Sequence, residues 1–186
     1  MMGSIDVARR GWRIQAGGCL VGVSLLMAGV TNGPVSAAEG EGCAAAAWSL
    51  TEDGARLRAA PPARVDGGAL ALSEPIAVVV SLLPTAEARL PLPPERRPAA
   101  DRFAGYVTLE VPPAGGVLQV TLAQAAWIDL IREGEALKPL AFTGVRNCPL
   151  ARKSVRFLVP AGAGPWVLQL SGAPENSVAL AVSLVP

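Results

Sequence analysis

From Leu70 to Leu184 the chain repeats one pattern: apolar residues at every second position, in short runs stopped by Gly or Pro. A period of two places one face of each run on a core and turns the other outward. It describes half-buried strands and cannot make an amphipathic helix. Phe103, Gly105, Val107, Leu109 and Val111 alternate with Ala104, Tyr106, Thr108 and Glu110 before Pro112-Pro113. Gly115-Gly116 then turns the chain into Leu118, Val120 and Leu122, with Gln119 and Thr121 facing away. Ala125 to Ile131 carries Trp127, Ile128 and Leu130 around Asp129. Val155, Phe157 and Val159 form another strand, and Ala161 to Pro165 predicts a hairpin loop into Trp166, Leu168 and Leu170. Val178, Leu180, Val182 and Leu184 share one face of the last run. Nearer the start, Leu70 and Leu72 alternate, and the unbroken apolar stretch Ile76 to Leu83 predicts a strand buried on both faces. Many short strands with this punctuation predict an all-β fold, an antiparallel, jelly-roll-like β-sandwich over residues 67–186.

Two segments break the pattern. Residues 39–66 are Ala-rich between Ala44 and Ala60, which predicts a short N-terminal helix, weakened by Gly54 and ended by Pro61-Pro62. Residues 84–98 (PTAEARLPLPPERRP) are too rich in Pro for a central strand. They predict a rigid, extended loop joining two sheets.

The first 38 residues have a different character. Arg9, Arg10 and Arg13 precede an uncharged stretch whose apolar run Cys19 to Met27 has the length of a signal-peptide core. Asn32, Gly33 and Pro34 follow, and small residues offer cleavage after Ala37 or Ala38. The expectation is a signal peptide over residues 1–38, read by the general secretory route or, through Arg9-Arg10, by the twin-arginine route. With only Lys138 and Lys153 as lysines among many Ala, Gly, Pro and Arg, the chain suits a GC-rich bacterial genome. The expected compartment is therefore the periplasm or beyond.

Removing residues 1–38 changes the arithmetic. The sixteen Lys and Arg fall to thirteen and the fifteen Asp and Glu to fourteen, a net charge of −1. Such a balance argues against a nucleic-acid partner, and no remaining run predicts stable membrane insertion after cleavage. Cys19 leaves, so Cys43 and Cys148 remain as an even pair in an oxidising compartment, and a disulfide is expected. The chain has no His. That removes imidazole acid–base catalysis, Ser-His and Cys-His dyads and His-ligated metal sites. No phosphate-binding Gly loop, nucleophile elbow or Cys-x-x-Cys is present either. No cofactor and no metal site is expected.

From Phe103 onward the elements resemble the bacterial pre-peptidase C-terminal domain, a β-sandwich. The resemblance rests on Tyr106-Val-Thr-Leu109, Gly116-Val-Leu-Gln-Val-Thr-Leu122, Trp127-Ile-Asp129-Leu130, Ser154-Val-Arg-Phe157 and Gly162-Ala-Gly-Pro-Trp166-Val-Leu-Gln-Leu170. It implies a sandwich fold and export over about residues 103–184 and transfers no catalytic residue. Trp127 and Trp166 stand near positions where that family carries an acidic residue and a Tyr.

The densest polar cluster is Arg152, Lys153 and Arg156 beside Cys148. Forked guanidinium donors suit an anion or an acidic partner; the same charges at a strand start also discourage edge-to-edge pairing. Asp129, inside an apolar strand, either faces water or needs a partner, for which Arg132, Arg152 and Arg156 are the candidates. The leading expectation is a non-catalytic exported module that binds through Arg152, Lys153 and Arg156 with Asp129 and Trp127 nearby. Its partner would be another envelope protein or a small anionic ligand. The alternative is a carbohydrate- or small-ligand-binding module using Trp127 or Trp166 as a platform. A third reading is a histidine-free hydrolase pairing Asp129 with Glu110 or Glu133.

Overall fold

The computed structural model describes residues 40–59, 63–65, 67–149, 151–162 and 164–185. The expected signal segment 1–38 and Cys19 lie outside these residues. In chain order the elements are β1 (Gly40–Glu41), a 3-10 turn (Cys43–Ala45), α1 (Thr51–Arg58), β2 (Ala63–Val65), β3 (Ala69–Ala71), β4 (Ile76–Ser81) and β5 (Leu83–Pro84). There follow β6 (Phe103–Glu110), β7 (Gly116–Leu122), β8 (Trp127–Arg132), β9 (Glu135–Leu137), β10 (Ala141–Arg146), β11 (Lys153–Val159), β12 (Pro165–Ala173) and β13 (Ser177–Val185).

Alternation resolves these strands into two sheets packed face to face. The first runs β1-β10-β11-β7-β13-β4-β2 and the second β3-β6-β12-β8-β9, with β5 also on β6. The long central strands pair antiparallel throughout. Three short strands from the N-terminal half pair parallel at the periphery: β1 on β10, β2 on β4 and β3 on β6. The fold is an all-β sandwich, with mixed sheets where a purely antiparallel arrangement is expected from the sequence.

Between the sheets lies one apolar core. Leu118, Val120, Leu122, Val155, Phe157, Leu180 and Val182 from the first sheet meet Val107, Leu109, Ile128, Leu130, Leu168 and Leu170 from the second. Each such fully buried side chain contributes about 1.5–3 kcal/mol of transfer free energy. These are the residues that the period-two reading turns inward.

Three expectations need correction. β4 buries one face only: Val78 and Val80 are in the core, while Ile76, Ala77 and Val79 are half-buried and Leu83 is exposed. Its apolar run is long because the chain leaves the first sheet after Ser81 and joins the second as β5. The loop after β11 is no hairpin either. β11 pairs with β10 and β7, whereas β12 pairs with β6 and β8, so this loop crosses from one sheet to the other. Finally, the helix begins only at Thr51, where the Ser49 hydroxyl accepts from the Thr51 N–H at 3.3 Å. The alanines before it are held elsewhere: the Ala47 N–H donates to Thr143 Oγ1 at 3.1 Å.

The N-terminal segment covers the outer face of the first sheet, α1 packing on β13 and β4. Cys43 and Cys148 stand at disulfide distance, their Cα atoms 4.7 Å apart, and tie this segment to the loop after β10. Beneath it the outward residues of the sheet are polar yet buried. Asp53 Oδ2 accepts from Gln119 Nε2 at 2.7 Å and from the Thr121 hydroxyl, and Asp53 Oδ1 from Arg56 Nη1 at 3.2 Å. Thr121 Oγ1 and Ser154 Oγ are 2.9 Å apart, and Ser154 Oγ accepts from Trp48 Nε1 at 3.2 Å.

The outer face of the second sheet has a different cover. The proline-dense loop 84–98, expected from its composition to join the two sheets, runs instead from β5 to β6 within the second sheet, because the crossing is made before it, between Ser81 and Leu83. Its Leu92 N–H donates to Gln169 Oε1 at 3.2 Å. Its far end is pinned at Thr85, whose N–H and hydroxyl both donate to the Arg102 carbonyl.

Candidate functional site

Strand register decides what lies on that second outer face. Asp129 of β8 stands opposite Gln169 of β12, and Trp127 stands opposite Ser171. Side chains so paired lie on one face within reach of each other. Gln169 is fully buried; its Nε2 donates to Asp129 Oδ2 at 3.0 Å, and Trp127 Nε1 donates to Asp129 Oδ1 at 3.1 Å. Burial raises the Asp129 carboxyl above its ordinary pKa of 3.8, and Glu95 pushes the same way. The bonds from Gln169 and Trp127 and the charge of Lys153 oppose that rise.

One step along the face the regular ladder fails. The register of β12 against β6 shifts between Leu170 and Ala173, and Gly172 takes φ +71°. That is a β-bulge with glycine in the left-handed region, where a side chain would be strained. At the bulge, Ser171 is 1% exposed and its hydroxyl has no hydrogen-bond partner. Among the described residues it is the one buried side-chain polar atom in that condition.

Beside the bulge is a cleft of about 500 Å³. Ser171, Gly172 and Trp127 form one side, the loop residues Arg96, Arg97 and Arg102 a second, and Arg152 with Lys153 at the start of β11 a third. Five cations therefore border one cleft, and among its described lining residues there is no carboxylate. Arg102 has an acidic neighbour outside the lining, Asp101 at 3.6 Å, in an exposed pair of small energetic weight.

Trp127 holds cations here. Lys153 Nζ lies 4.6 Å from its ring centroid and the Arg96 guanidinium 5.8 Å, both within cation–π range. Lys153 Nζ also donates to the Ala126 carbonyl at 3.4 Å. On its other flank Trp127 lines a smaller cavity of about 280 Å³ with Glu95, Asp129 and Lys138. The indole thus separates a cationic cleft from a cavity of mixed charge.

Of the five residues singled out from sequence, Trp127, Arg152 and Lys153 meet at this cleft. Asp129 sits one position behind it, and Arg156 is elsewhere. Arg156 points to the opposite outer face of the molecule, where its Nε donates to Gln119 Oε1 at 2.8 Å and its guanidinium stacks 4.4 Å from the Trp48 ring. The alternation of β11 separates it from Lys153, three residues away and so on the other face. Nor does the cluster mark a sheet edge, since β11 lies between β10 and β7. Arg152 Nη1 donates to the Val145 carbonyl at 2.9 Å.

Asp129 is bonded by neutral groups and not by Arg132, Arg152 or Arg156, because its cross-strand neighbour is an amide. Trp166 is buried in the core with Arg132 5.3 Å from its ring centroid, so it presents no platform. Glu110 is on β6 and Glu133 pairs with Arg132 at 3.4 Å; neither is bonded to Asp129. Sequence reasoning missed Arg96, Arg97, Arg102 and Ser171. The adjacent Arg96-Arg97 in a stiff, proline-dense loop was the available signal.

Among the described residues no group of three or more His, Cys, Asp or Glu could hold a metal ion. Among them, too, no helix is long and apolar enough to cross a membrane. No protein-family model, no curated protein and no solved structure matches the chain.

Proposed function

We propose that this protein is an exported, non-catalytic binding module whose ligand is a small anion held in the cleft bordered by Arg96, Arg97, Arg102, Arg152 and Lys153. The observation that carries this reading is the convergence of five cations on one cleft without a lining carboxylate. Like charges gathered around one cleft repel one another, and a bound anion turns that repulsion into attraction. Guanidinium forks favour oxyanions in particular, since they offer paired donors to two oxygens at once. Trp127 supports the reading by fixing Lys153 and Arg96 over its ring, which limits the entropy lost when they meet a ligand. The same cations make Trp127 a poor surface for stacking a neutral sugar.

Export is supported by the basic, apolar and small-residue order of residues 1–38 and by two cysteines at disulfide distance. The resemblance to the pre-peptidase C-terminal domain enters only as fold and export. A calorimetric titration of the protein with succinate, citrate, sulfate and inorganic phosphate tests the ligand class. At least one of these binds the wild type, and Arg97→Ala/Arg102→Ala weakens it at least about ten-fold, the loss of one or two charge-assisted bonds. Equal binding by the double variant, or failure of the wild type to bind any anion, free or as a vesicle headgroup, overturns the proposal. For export, protein recovered from the periplasm should have the mass of a chain starting at Ala38 or Glu39; retention of residues 1–38 contradicts it.

A further inference from the structure

The donors around the cleft come from three separate elements, and the third is a bulged strand with an unpartnered hydroxyl. We infer that the bulge at Ser171-Gly172 is the specificity element of this cleft and that its ligand carries a tetrahedral oxyanion, a phosphoryl or sulfuryl group. The inference rests on the anion-binding reading above and names the ligand class within it.

Burying a hydroxyl without a partner is unfavourable by about 1–3 kcal/mol, and β12 could avoid this with an apolar residue at position 171. The bulge adds to the cost, since it breaks the β12–β6 ladder and requires the left-handed φ of Gly172. A regular strand would instead continue the outward row that begins with Gln169. Both departures fall at the one place where the sheet borders the cationic cleft. A ligand oxygen accepting from the Ser171 hydroxyl offsets the first cost, and the hydroxyl reaches it by rotation about a single bond.

Geometry selects the class. A carboxylate presents two oxygens in one plane and is satisfied by one or two guanidinium forks. Here donors approach from the loop (Arg97, Arg102), from the start of β11 (Arg152, Lys153) and from the bulge (Ser171). Three directions suit a group with three terminal oxygens arranged about a tetrahedral centre. A doubly charged group also matches five cations better than a singly charged one. Gly172 leaves space: a Cβ built on it meets nothing within 4 Å, so the floor of the cleft is not crowded at that point.

The test is calorimetric titration of wild type, Ser171→Ala and Arg97→Ala/Arg102→Ala with inorganic phosphate, sulfate and succinate. Sedimentation with phosphatidylcholine vesicles containing phosphatidic acid, a phosphomonoester, and with phosphatidylcholine vesicles alone as the control of no net charge, is run in parallel. Ser171→Ala folds with a melting temperature equal to or above that of the wild type, because no bond is lost in the unliganded protein. Its affinity for phosphate or sulfate falls about ten-fold, as for loss of one hydrogen bond to a charged group, while its affinity for succinate is unchanged. If free phosphate fails but phosphatidic acid vesicles bind and Ser171→Ala abolishes this, the phosphoryl group belongs to a lipid headgroup and the inference stands. Tighter binding of succinate than of phosphate and sulfate, or tetrahedral anions that bind Ser171→Ala as tightly as wild type, overturns the inference while leaving the anion-binding reading intact. Failure of every anion and vesicle to bind the wild type overturns both.

Discussion

Each sheet of the sandwich has polar residues buried on its outer face beneath a non-strand cover, and the two faces treat them differently. On the first sheet Asp53, Gln119, Thr121 and Ser154 form a closed set, completed by Arg56, Arg156 and Trp48. The cover is α1 and its flanking chain, tied down by Cys43 and Cys148. On the second sheet Asp129 and Gln169 are bonded, but one position further Ser171 has no partner and the cover opens into a cationic cleft. Satisfied polar groups under a crosslinked cover hold a structure together. An orphaned hydroxyl beside gathered like charges has a structural cost with no structural return. That contrast separates a scaffold face from the face proposed to bind.

The scaffold face should show its role in stability. Cys43→Ser/Cys148→Ser removes a crosslink between residues 105 apart. In the chain-entropy account the loss is about 3–5 kcal/mol, read as a lower denaturant midpoint that reductant also produces in the wild type. An unchanged midpoint would show that the cover does not need its tether. Asp53→Ala should cost about 2–4 kcal/mol, since Gln119 and Thr121 lose a buried acceptor and Arg56 its partner. A cost near zero would remove the contrast between the faces.

On the binding face the expected effects are smaller and depend on pH. Asp129 binds its proton more tightly in the folded protein than in the unfolded chain. Its contribution to stability therefore grows as pH falls from above the raised pKa toward 3.8 and is lost as pH rises through that window. Asp129→Asn should cost about 1 kcal/mol at neutral pH, because the asparagine amide cannot accept from Gln169 as the second oxygen does. Thermal melts across the acid range should show the gap between the two proteins widening as pH falls through that window. A constant difference would mean that the Asp129 carboxyl does not titrate with folding.

Much of the sandwich was legible because its long strands obey one period. β6, β7, β11, β12 and β13 turn inward the very residues that alternation assigns to the core. β10 was missed, since its buried Thr143 and Val145 face the N-terminal cover and its other parity holds Gly144 and exposed Phe142. Strands of two or three residues, such as β1, β2, β3 and β9, are shorter than any periodicity. A Gly-rich loop tells where a strand ends but not which sheet the next one enters, which is why a crossing after β11 reads as a hairpin. At the site, Trp127, Arg152 and Lys153 were legible as charge beside an aromatic. Arg96, Arg97 and Arg102 needed the folded path of a loop, and Ser171 needed a bulge within an apolar run that local sequence does not announce.

The peripheral strands have one more consequence. The first sheet ends in β1 and β2 and the second in β3 and β9, each of only two or three residues. So short an exposed row of N–H and C=O groups is a poor template for another chain. Three of these four caps come from residues 40–71, and they lie on β10, β4 and β6, which are six, six and eight residues long. Without that segment the sandwich would end in strands of six to eight residues, a longer row of unpaired backbone groups. The N-terminal stretch that reads as a mere preface to the domain thus supplies three of its four edge caps.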